Sequence, residues 1–161
     1  MAPRRPAMTA AARSTGDPGL TLLLWELHQT ARVAARHVER AVEAAGISTP
    51  EFGVLACVND EPGITRADIA RQLHLRPQAL TVTVDKLQRR GLIEGTASGR
   101  GRPSRLTVTD AGRAALDGAW PAIVALNAPG NLGMTDQDAQ ALAIRLARLR
   151  RLLSEREADP S

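Results

Sequence analysis

Aromatic side chains are almost absent from the 161-residue chain: they make up 2% of it, and there is no tyrosine. A surface that stacks the bases of a single-stranded nucleic acid needs several rings, so the composition argues against that class of protein. The single cysteine, Cys57, excludes an internal disulfide framework and a zinc site built on several thiolates. The longest apolar run near the N-terminus, residues 22–25, is ended by Glu26 and is too short for a membrane span or a signal peptide. We therefore expect a cytoplasmic protein with no membrane partner.

Enzyme signatures are also missing. The sequence contains no Gly-x-Ser-x-Gly, no phosphate-binding loop and no His-Glu-x-x-His. The three histidines, His28, His37 and His74, are dispersed and do not have the spacing of metal ligands. We predict a protein that is not an enzyme and holds no cofactor or metal, in which Cys57 is a small buried hydrophobe.

Charge is unevenly distributed along the chain. The 21 basic residues include a single lysine, Lys86, and the formal net charge is +4. Nine bases and four acids lie between Pro62 and Gly112, a balance of +5, whereas the remainder of the chain is close to neutral. A basic middle indicates an anionic partner, although a solvated arginine-rich surface explains the charge equally well.

The hydrophobic pattern divides the chain into four regions. Residues 1–19 are rich in Pro, Ala and Arg, have no apolar period and are predicted to be a disordered tail. A helical stripe then runs through residues 20–46, and a second one begins at Thr135 and follows Leu142, Leu146 and Leu149. Both stripes are longer than a small domain can cover, which predicts that residues 20–46 and 114–157 form a dimerisation layer around a central domain at 47–113.

The central region reads as short helices followed by a hairpin. Helices are expected at 49–60, 66–73 and 77–91, the last with Leu80, Val84 and Leu87 buried. Strands are expected at 92–94 and 105–109, and a helix from Asp110 is expected to reach Val124 with a bend at Pro121. The predicted fold class is mostly α with a small β-hairpin wing: a winged helix-turn-helix core with N- and C-terminal dimerisation helices.

The third of these helices has the composition of a DNA-reading element. The face opposite its buried stripe carries groups suited to base edges, a thymine methyl and phosphates: Gln78, Thr81, Val82, Lys86 and Arg89. The hairpin tip, residues 98–103, carries Arg100 and Arg102 on a thin loop of the kind that enters a minor groove, and Arg105 follows it.

Several ordered motifs resemble the multiple-antibiotic-resistance regulator (MarR) family. They are STPEFGVL at 48–55, EPGIT at 61–65, DIARQL at 68–73, LTVTVDKLQRRGLI at 80–93 and LTVTDAG at 106–112. The resemblance covers residues 20–153 and implies a homodimer that binds pseudo-palindromic duplex DNA and is modulated by small ligands or oxidants. It places the family's recognition positions on Gln78, Thr81, Val82 and Lys86, and its wing arginine on Arg102.

Two positions depart from the family pattern. Arg100 replaces the aspartate that precedes the wing arginine, and Arg76 stands where Ser or Thr would cap the recognition helix. Arg76 is either a phosphate contact or simply an uncapped helix start.

Three points stay open at the level of sequence. Trp25 and His28 are candidates for a ligand pocket beside the dimer helices, although a tryptophan at such a position is more often simple core and His28 can equally face solvent. A winged helix can also serve only as a protein–protein module, although such a module would not need Arg100, Arg102 and Arg105 together. A sequence-indifferent architectural DNA binder is the third reading.

Overall fold

The computed structural model describes residues 22–96 and 104–158. Within these residues it contains six α-helices, one short 3-10 helix and three strands. In chain order they are α1 (Leu23–Glu43), α2 (Thr49–Asp60), β1 (Ile64–Thr65), α3 (Arg66–Gln72), α4 (Pro77–Arg89), β2 (Ile93–Thr96), β3 (Arg105–Val108), α5 (Asp110–Asn127), the 3-10 helix (Pro129–Leu132) and α6 (Asp136–Ala158). The predicted fold class, mostly helical with a small sheet, is confirmed.

Local sequence signals explain where these helices begin. Ser48 caps α2 in a capping box with Glu51, and Thr65 caps α3 by accepting a hydrogen bond from the Asp68 amide. The Thr135 hydroxyl accepts from the Asp138 amide at 3.2 Å, which is the helix start predicted for α6. Arg76 stands at the N-cap of α4 and makes no side-chain cap hydrogen bond.

The sheet is antiparallel with the strand order β1-β3-β2. The predicted hairpin is present: β2 pairs with β3 from Ile93 opposite Val108 to Thr96 opposite Arg105. The third strand, β1, was not predicted, because it has two residues and depends on the pairing of Ile64 with the distant Leu106. Residues 97–103, which include the predicted hairpin tip, lie outside the described residues.

A single hydrophobic core joins α2, α3, α4 and the sheet to the end of α1 and the first half of α5. Its fully buried side chains include Leu55, Ile69, Leu80, Leu87 and Leu106. The predicted inner face of α4 is confirmed, since Leu80, Val84 and Leu87 are all buried.

Helix α5 begins at Asp110 as predicted and ends beyond its predicted end at Val124. It continues through Pro121 to Asn127, and the domain boundary predicted between residues 113 and 114 falls inside it. Its first half belongs to the core, where Gly112, Leu116 and Ala119 are buried. None of the helices in the described segments is long and apolar enough to cross a membrane.

The terminal helices contribute little to this core. In α1 only Val42 is buried, and in α6 no side chain described between Asp136 and Arg156 is buried. The terminal helices, the second half of α5 and the 3-10 helix therefore expose large apolar side chains, which we call the apolar terminal surface: Leu22, Leu23, Leu24, Val33, Trp120, Val124, Leu132, Leu142, Ile144, Leu146 and Leu152.

Candidate nucleic-acid interface

Helix α4 is held by one face and exposed on the other. Leu80, Val84 and Leu87 recur at spacings of four and three residues and anchor it in the core. Pro77 occupies the first helical turn, where its missing N–H leaves no hydrogen bond unmade. The opposite face is consequently free to contact another molecule.

The exposed face of α4 forms a stripe at the same helical spacing. It consists of Gln78, Val82, Asp85 and Arg89, all of them exposed. Val82 is 66% exposed, which is unusual for a large apolar side chain and suits contact with a thymine methyl. Thr81 flanks the stripe, and its hydroxyl donates to the Pro77 carbonyl at 2.9 Å. Gln78, Thr81 and Val82 therefore share the surface that the sequence assigned to them.

Lys86 is placed differently from its expected position. Its Nζ lies 3.3 Å from Oε1 of Glu51, on the side of α4 that faces α2. The reason is that Glu51 is a buried carboxylate on the neighbouring helix and attracts the ammonium group. Lys86 thus lies at the edge of the outward face, with its ammonium group turned toward Glu51.

Glu51 is a residue that sequence reasoning treated only as part of a family motif. Its carboxylate accepts from the Ser48 amide at 2.8 Å and from Arg90 Nη1 at 2.9 Å, in addition to Lys86. Burial raises the pKa of Glu51, but the hydrogen bonds from Ser48, Arg90 and Lys86 outweigh burial and hold the pKa below its ordinary value. The Ser-x-x-Glu spacing was the sequence signal for its hydrogen bond with the Ser48 amide, although neither its burial nor the two cations could be predicted from that spacing.

The acidic member of the exposed stripe, Asp85, was also missed. Its carboxylate pairs with Arg66 Nη2 at 2.9 Å, and the same guanidinium donates to Gln88 Oε1 at 3.0 Å. Arg66 begins α3, so this ion pair links the two helices of the helix-turn-helix. Because Arg66 neutralises Asp85, the stripe does not present an unpaired negative charge to a phosphate backbone.

The remaining basic residues predicted for the interface have different surroundings. Arg76 is exposed at the start of α4. Arg105 crosses the sheet edge, where its Nη1 donates to the Gly63 carbonyl at 3.1 Å. Arg100 and Arg102 lie outside the described residues, and their roles stay predictions.

Aromatic residues meet in two places away from α4. Trp25 and His28 stack on α1 with ring centroids 5.8 Å apart; Trp25 is half-buried and His28 exposed. Phe52 of α2 stacks on Trp120 of α5 at 6.3 Å. The predicted ligand-pocket pair is thus brought together, and the second stack was not predicted, because Phe52 and Trp120 are far apart in sequence.

Cys57 is half-buried in α2 and packs against the core. Burial raises the pKa of its thiol, and the nearby carboxylates Asp60 and Glu61 raise it further. The thiol is therefore protonated at neutral pH and is a weak nucleophile. Within 22–96 and 104–158, no group of three or more His, Cys, Asp or Glu side chains could hold a metal ion.

Comparison with known sequences identifies similar proteins. A family model described as MarR family matches residues 45–102. The HTH-type transcriptional repressor Rv2887 of Mycobacterium tuberculosis is 33% identical over 89 residues, which are 55% of this chain and 64% of that protein. The transcriptional activatory protein BadR of Rhodopseudomonas palustris is 34% identical over 95 residues, which are 56% of this chain and 54% of BadR. The chain therefore spans less than two thirds of the length of these curated relatives.

Solved structures agree with the described fold. The crystal structure of the transcriptional regulator SlyA superimposes with a TM-score of 0.74 at 20% identity, covering 84% of this chain and 96% of SlyA. Rv2887 in complex with DNA has a TM-score of 0.63 at 26% identity, covering 80% and 98% of the two chains. Rv2887 in complex with p-aminosalicylic acid has a TM-score of 0.64 at 27% identity, with the same coverage.

Proposed function

We propose that this chain, whose residues 45–102 match the MarR family model, is a homodimeric transcriptional regulator that binds pseudo-palindromic duplex DNA and responds to a small ligand. The observation that carries the proposal is the exposed stripe of α4 opposite its buried leucines. The DNA complex of Rv2887 supports the same reading. We further propose that the protein acts in the cytoplasm, as a repressor like Rv2887, and without catalysis.

The apolar terminal surface supports the homodimer. Leu24 and Leu146 are 54% and 40% exposed, and they belong to the two helices that the sequence assigned to dimerisation. Leaving such side chains in water costs about 25 cal/mol for each Å² of apolar area. A second copy of the chain would cover them. The two α4 helices of the dimer would then lie about 34–36 Å apart, across one turn of DNA.

Each α4 would lie in a major groove with its outward stripe against the bases. The Gln78 amide can pair with adenine through two hydrogen bonds, and Val82 and the Thr81 methyl can contact thymine methyls. Arg76 and Arg89 extend from the two ends of the stripe and suit phosphates. Lys86 stands at the edge of the stripe, where a phosphate is a more fitting partner than a base edge.

The wing would add contacts in the adjacent minor groove. Arg100 and Arg102 are proposed as its groove-entering cations, with Arg105 at its base. Pro103 restricts the preceding Arg102 toward an extended backbone, which would make that side chain project from the tip.

The ligand is proposed to be a small aromatic carboxylic acid. The support is the p-aminosalicylic acid complex of Rv2887 together with the Trp25–His28 stack. An indole ring offers a flat apolar face, and the imidazole N–H beside it can donate to a carboxylate.

The test is selection of bound sequences from random duplexes by the full chain, repeated with p-aminosalicylic acid. We expect one palindromic consensus, and weaker retention when the ligand is present. Failure to enrich any sequence would contradict a sequence-specific regulator and would leave a protein–protein module or an architectural DNA binder.

Two variants assign the contacts once the consensus is known. Gln78→Ala should weaken specific binding by about 1–3 kcal/mol and barely change binding to random DNA. The matched control is Gln140→Ala, which removes the same amide from the exposed part of α6. Equal losses on specific and random DNA would show that α4 reads no bases.

Arg102→Ala tests the wing by salt titration. If each wing of the dimer loses one phosphate contact, the slope of log affinity against log salt should fall by about 2. A slope and an affinity that match those of the wild type would refute the wing assignment.

A further inference from the structure

Among the residues that the structure describes, Glu51 is the one charged residue whose side chain is buried, with an exposed fraction of 2%. It lies in the first turn of α2, directly after the turn that leads out of α1. A buried carboxylate is costly to desolvate unless it is paired and fully hydrogen-bonded, so its partners show what holds it there.

Those partners come from the end of α4. Arg90 follows the last residue of α4 and spans two groups: Nη1 reaches Glu51 Oε1 at 2.9 Å, and Nη2 reaches the Gly46 carbonyl at 2.8 Å. Lys86, one helical turn earlier, approaches the same Oε1. The other carboxylate oxygen is used by the Ser48 amide.

The turn between α1 and α2 is tied to both sides by these contacts. Glu39 of α1 accepts from the hydroxyl and the amide of Thr49, which fixes the end of α1 to the start of α2. Glu51 and Arg90 then fix that same segment to the end of α4. A continuous chain of directional hydrogen bonds thus runs from α1 to α4.

We propose that Glu51 and Arg90 are positioning residues that fix the recognition helix to the α1–α2 turn and thereby set the operator spacing that the dimer accepts. The inference rests on the proposed function, because it needs two α4 helices held by one dimer. In the proposed complex neither residue contacts a base.

The physical reason is that the hydrophobic contacts of α4 are non-directional, whereas the hydrogen bonds of Arg90 are directional. The leucines beneath α4 supply non-directional contacts that tolerate a small rotation of the helix. A guanidinium that bridges a carboxylate and a carbonyl has a fixed fork geometry and does not tolerate such a rotation. Moving one half-site by a single base pair changes its rotation by about 35°, so the stiffness of this joint should appear as spacing selectivity.

The experiment uses the selected operator and a version with one base pair inserted at its centre. The wild type should bind the lengthened site about tenfold or more weakly. Glu51→Gln keeps a side chain that can accept from Ser48 but loses the charge that holds Arg90. It should bind the original site somewhat more weakly, and its penalty for the inserted base pair should fall to about threefold or less.

A second variant guards against a folding defect. Arg90→Gln leaves Glu51 paired with Lys86 and leaves the capping box intact, so it should fold and show the same relaxed spacing. The double variant should show no more relaxation than either single one, since the two residues act through one contact.

The matched control is Glu61→Gln, which removes the charge from an exposed carboxylate that accepts from Gln72 at 3.2 Å. It should keep the spacing penalty of the wild type. If folded Glu51→Gln and Arg90→Gln proteins also keep that penalty, the inference is overturned while the proposed function stands. If the wild type itself shows no preference for any duplex, the proposed function fails first.

Discussion

The two ends of α1 show two regions of the molecule with opposite properties. At its C-terminal end Val42 is fully buried in the winged-helix core, whereas at its N-terminal end Leu23 and Leu24 are more than half exposed. The apolar side chains of the core are buried within one chain, whereas many of those on the terminal helices are exposed. A buried core and an exposed apolar surface in the same chain agree with the proposed homodimer, in which a second copy would cover the terminal helices.

The first prediction tests the packing of the core at its tightest point. A Cβ added at Gly112 would lie 2.0 Å from the Leu92 carbonyl oxygen, a backbone atom that cannot turn aside. Gly112→Ala should therefore lower the free energy of unfolding by about 3 kcal/mol or more, measured by denaturant titration at fixed protein concentration.

The control lies in the same helix. A Cβ at Gly118 would meet only the Ala45 Cβ, at an ordinary 3.6 Å. Gly118→Ala should be neutral or raise stability by about 0.5–1 kcal/mol, because alanine is the better helix former. Similar losses for both variants would show that the close approach at Gly112 is not what limits the core.

The second prediction concerns a substitution that disrupts the proposed interface of the terminal helices and leaves the core unchanged. Leu146→Glu on α6 should convert a dimer of twice 17.2 kDa into a monomer with an unchanged helical spectrum. Each leucine buried in the interface contributes about 1.5–3 kcal/mol, and symmetry doubles the loss. Sedimentation at micromolar concentration measures the mass.

Val82→Glu is the matched control for this variant, because Val82 is even more exposed but lies on α4. It should weaken DNA binding and leave the dimer intact. A Leu146→Glu protein that stays dimeric would place the interface elsewhere.

The junction between the two regions provides the third prediction, through pH. The pKa of Glu51 is held below its ordinary value of 4.5 in the folded protein. The stabilisation from its ion pairs is therefore present above that value and is lost as the pH falls through the lowered folded pKa. Between about pH 7 and pH 3 the thermal midpoint of Glu51→Gln should fall less than that of the wild type.

Asp68→Asn separates this effect from that of surface charges. The pKa of Asp68 is also lowered, chiefly by the Thr65 hydroxyl, but Asp68 is screened by solvent. Its removal should flatten the pH profile less than removal of Glu51. Profiles of equal steepness for the wild type and Glu51→Gln would show that the buried ion pairs do not stabilise the junction.

These residues also show how far the sequence reached. Apolar spacing and caps located the helices, since those signals are local: Leu80, Val84 and Leu87 are buried as predicted. Contacts between residues far apart in the sequence could not be predicted, which is why β1 and the ion pair of Glu51 with Arg90 were missed. The exposed stripe could be assigned from helical period alone, but the position of Lys86 depended on a carboxylate in another helix.

The fourth prediction concerns backbone strain in the turn between α3 and α4. His74, in the turn between α3 and α4, has a φ of +51°, a left-handed conformation that disfavours side chains with a Cβ. His74→Gly should raise the free energy of unfolding by about 0.5–1 kcal/mol. His37→Gly in the middle of α1 should lower it by a similar amount, because glycine is unfavourable inside a helix. Two changes of the same sign would show that the turn stores no strain.

The smallest expected effect is that of oxidation on DNA binding. It tests whether the Cys57 thiol, which packs against the core, is accessible to an oxidant. Burial and two nearby carboxylates raise the pKa of the Cys57 thiol, so little thiolate is present at neutral pH. Hydrogen peroxide should therefore change operator binding equally in the wild type and in Cys57→Ala. The reactivity control is Gln140→Cys in the Cys57→Ala background, which places a thiol on exposed α6 and should react with a thiol reagent much faster than Cys57 does. If peroxide released the wild type from DNA and left Cys57→Ala bound, Cys57 would be a redox sensor and the core would open to solvent near α2.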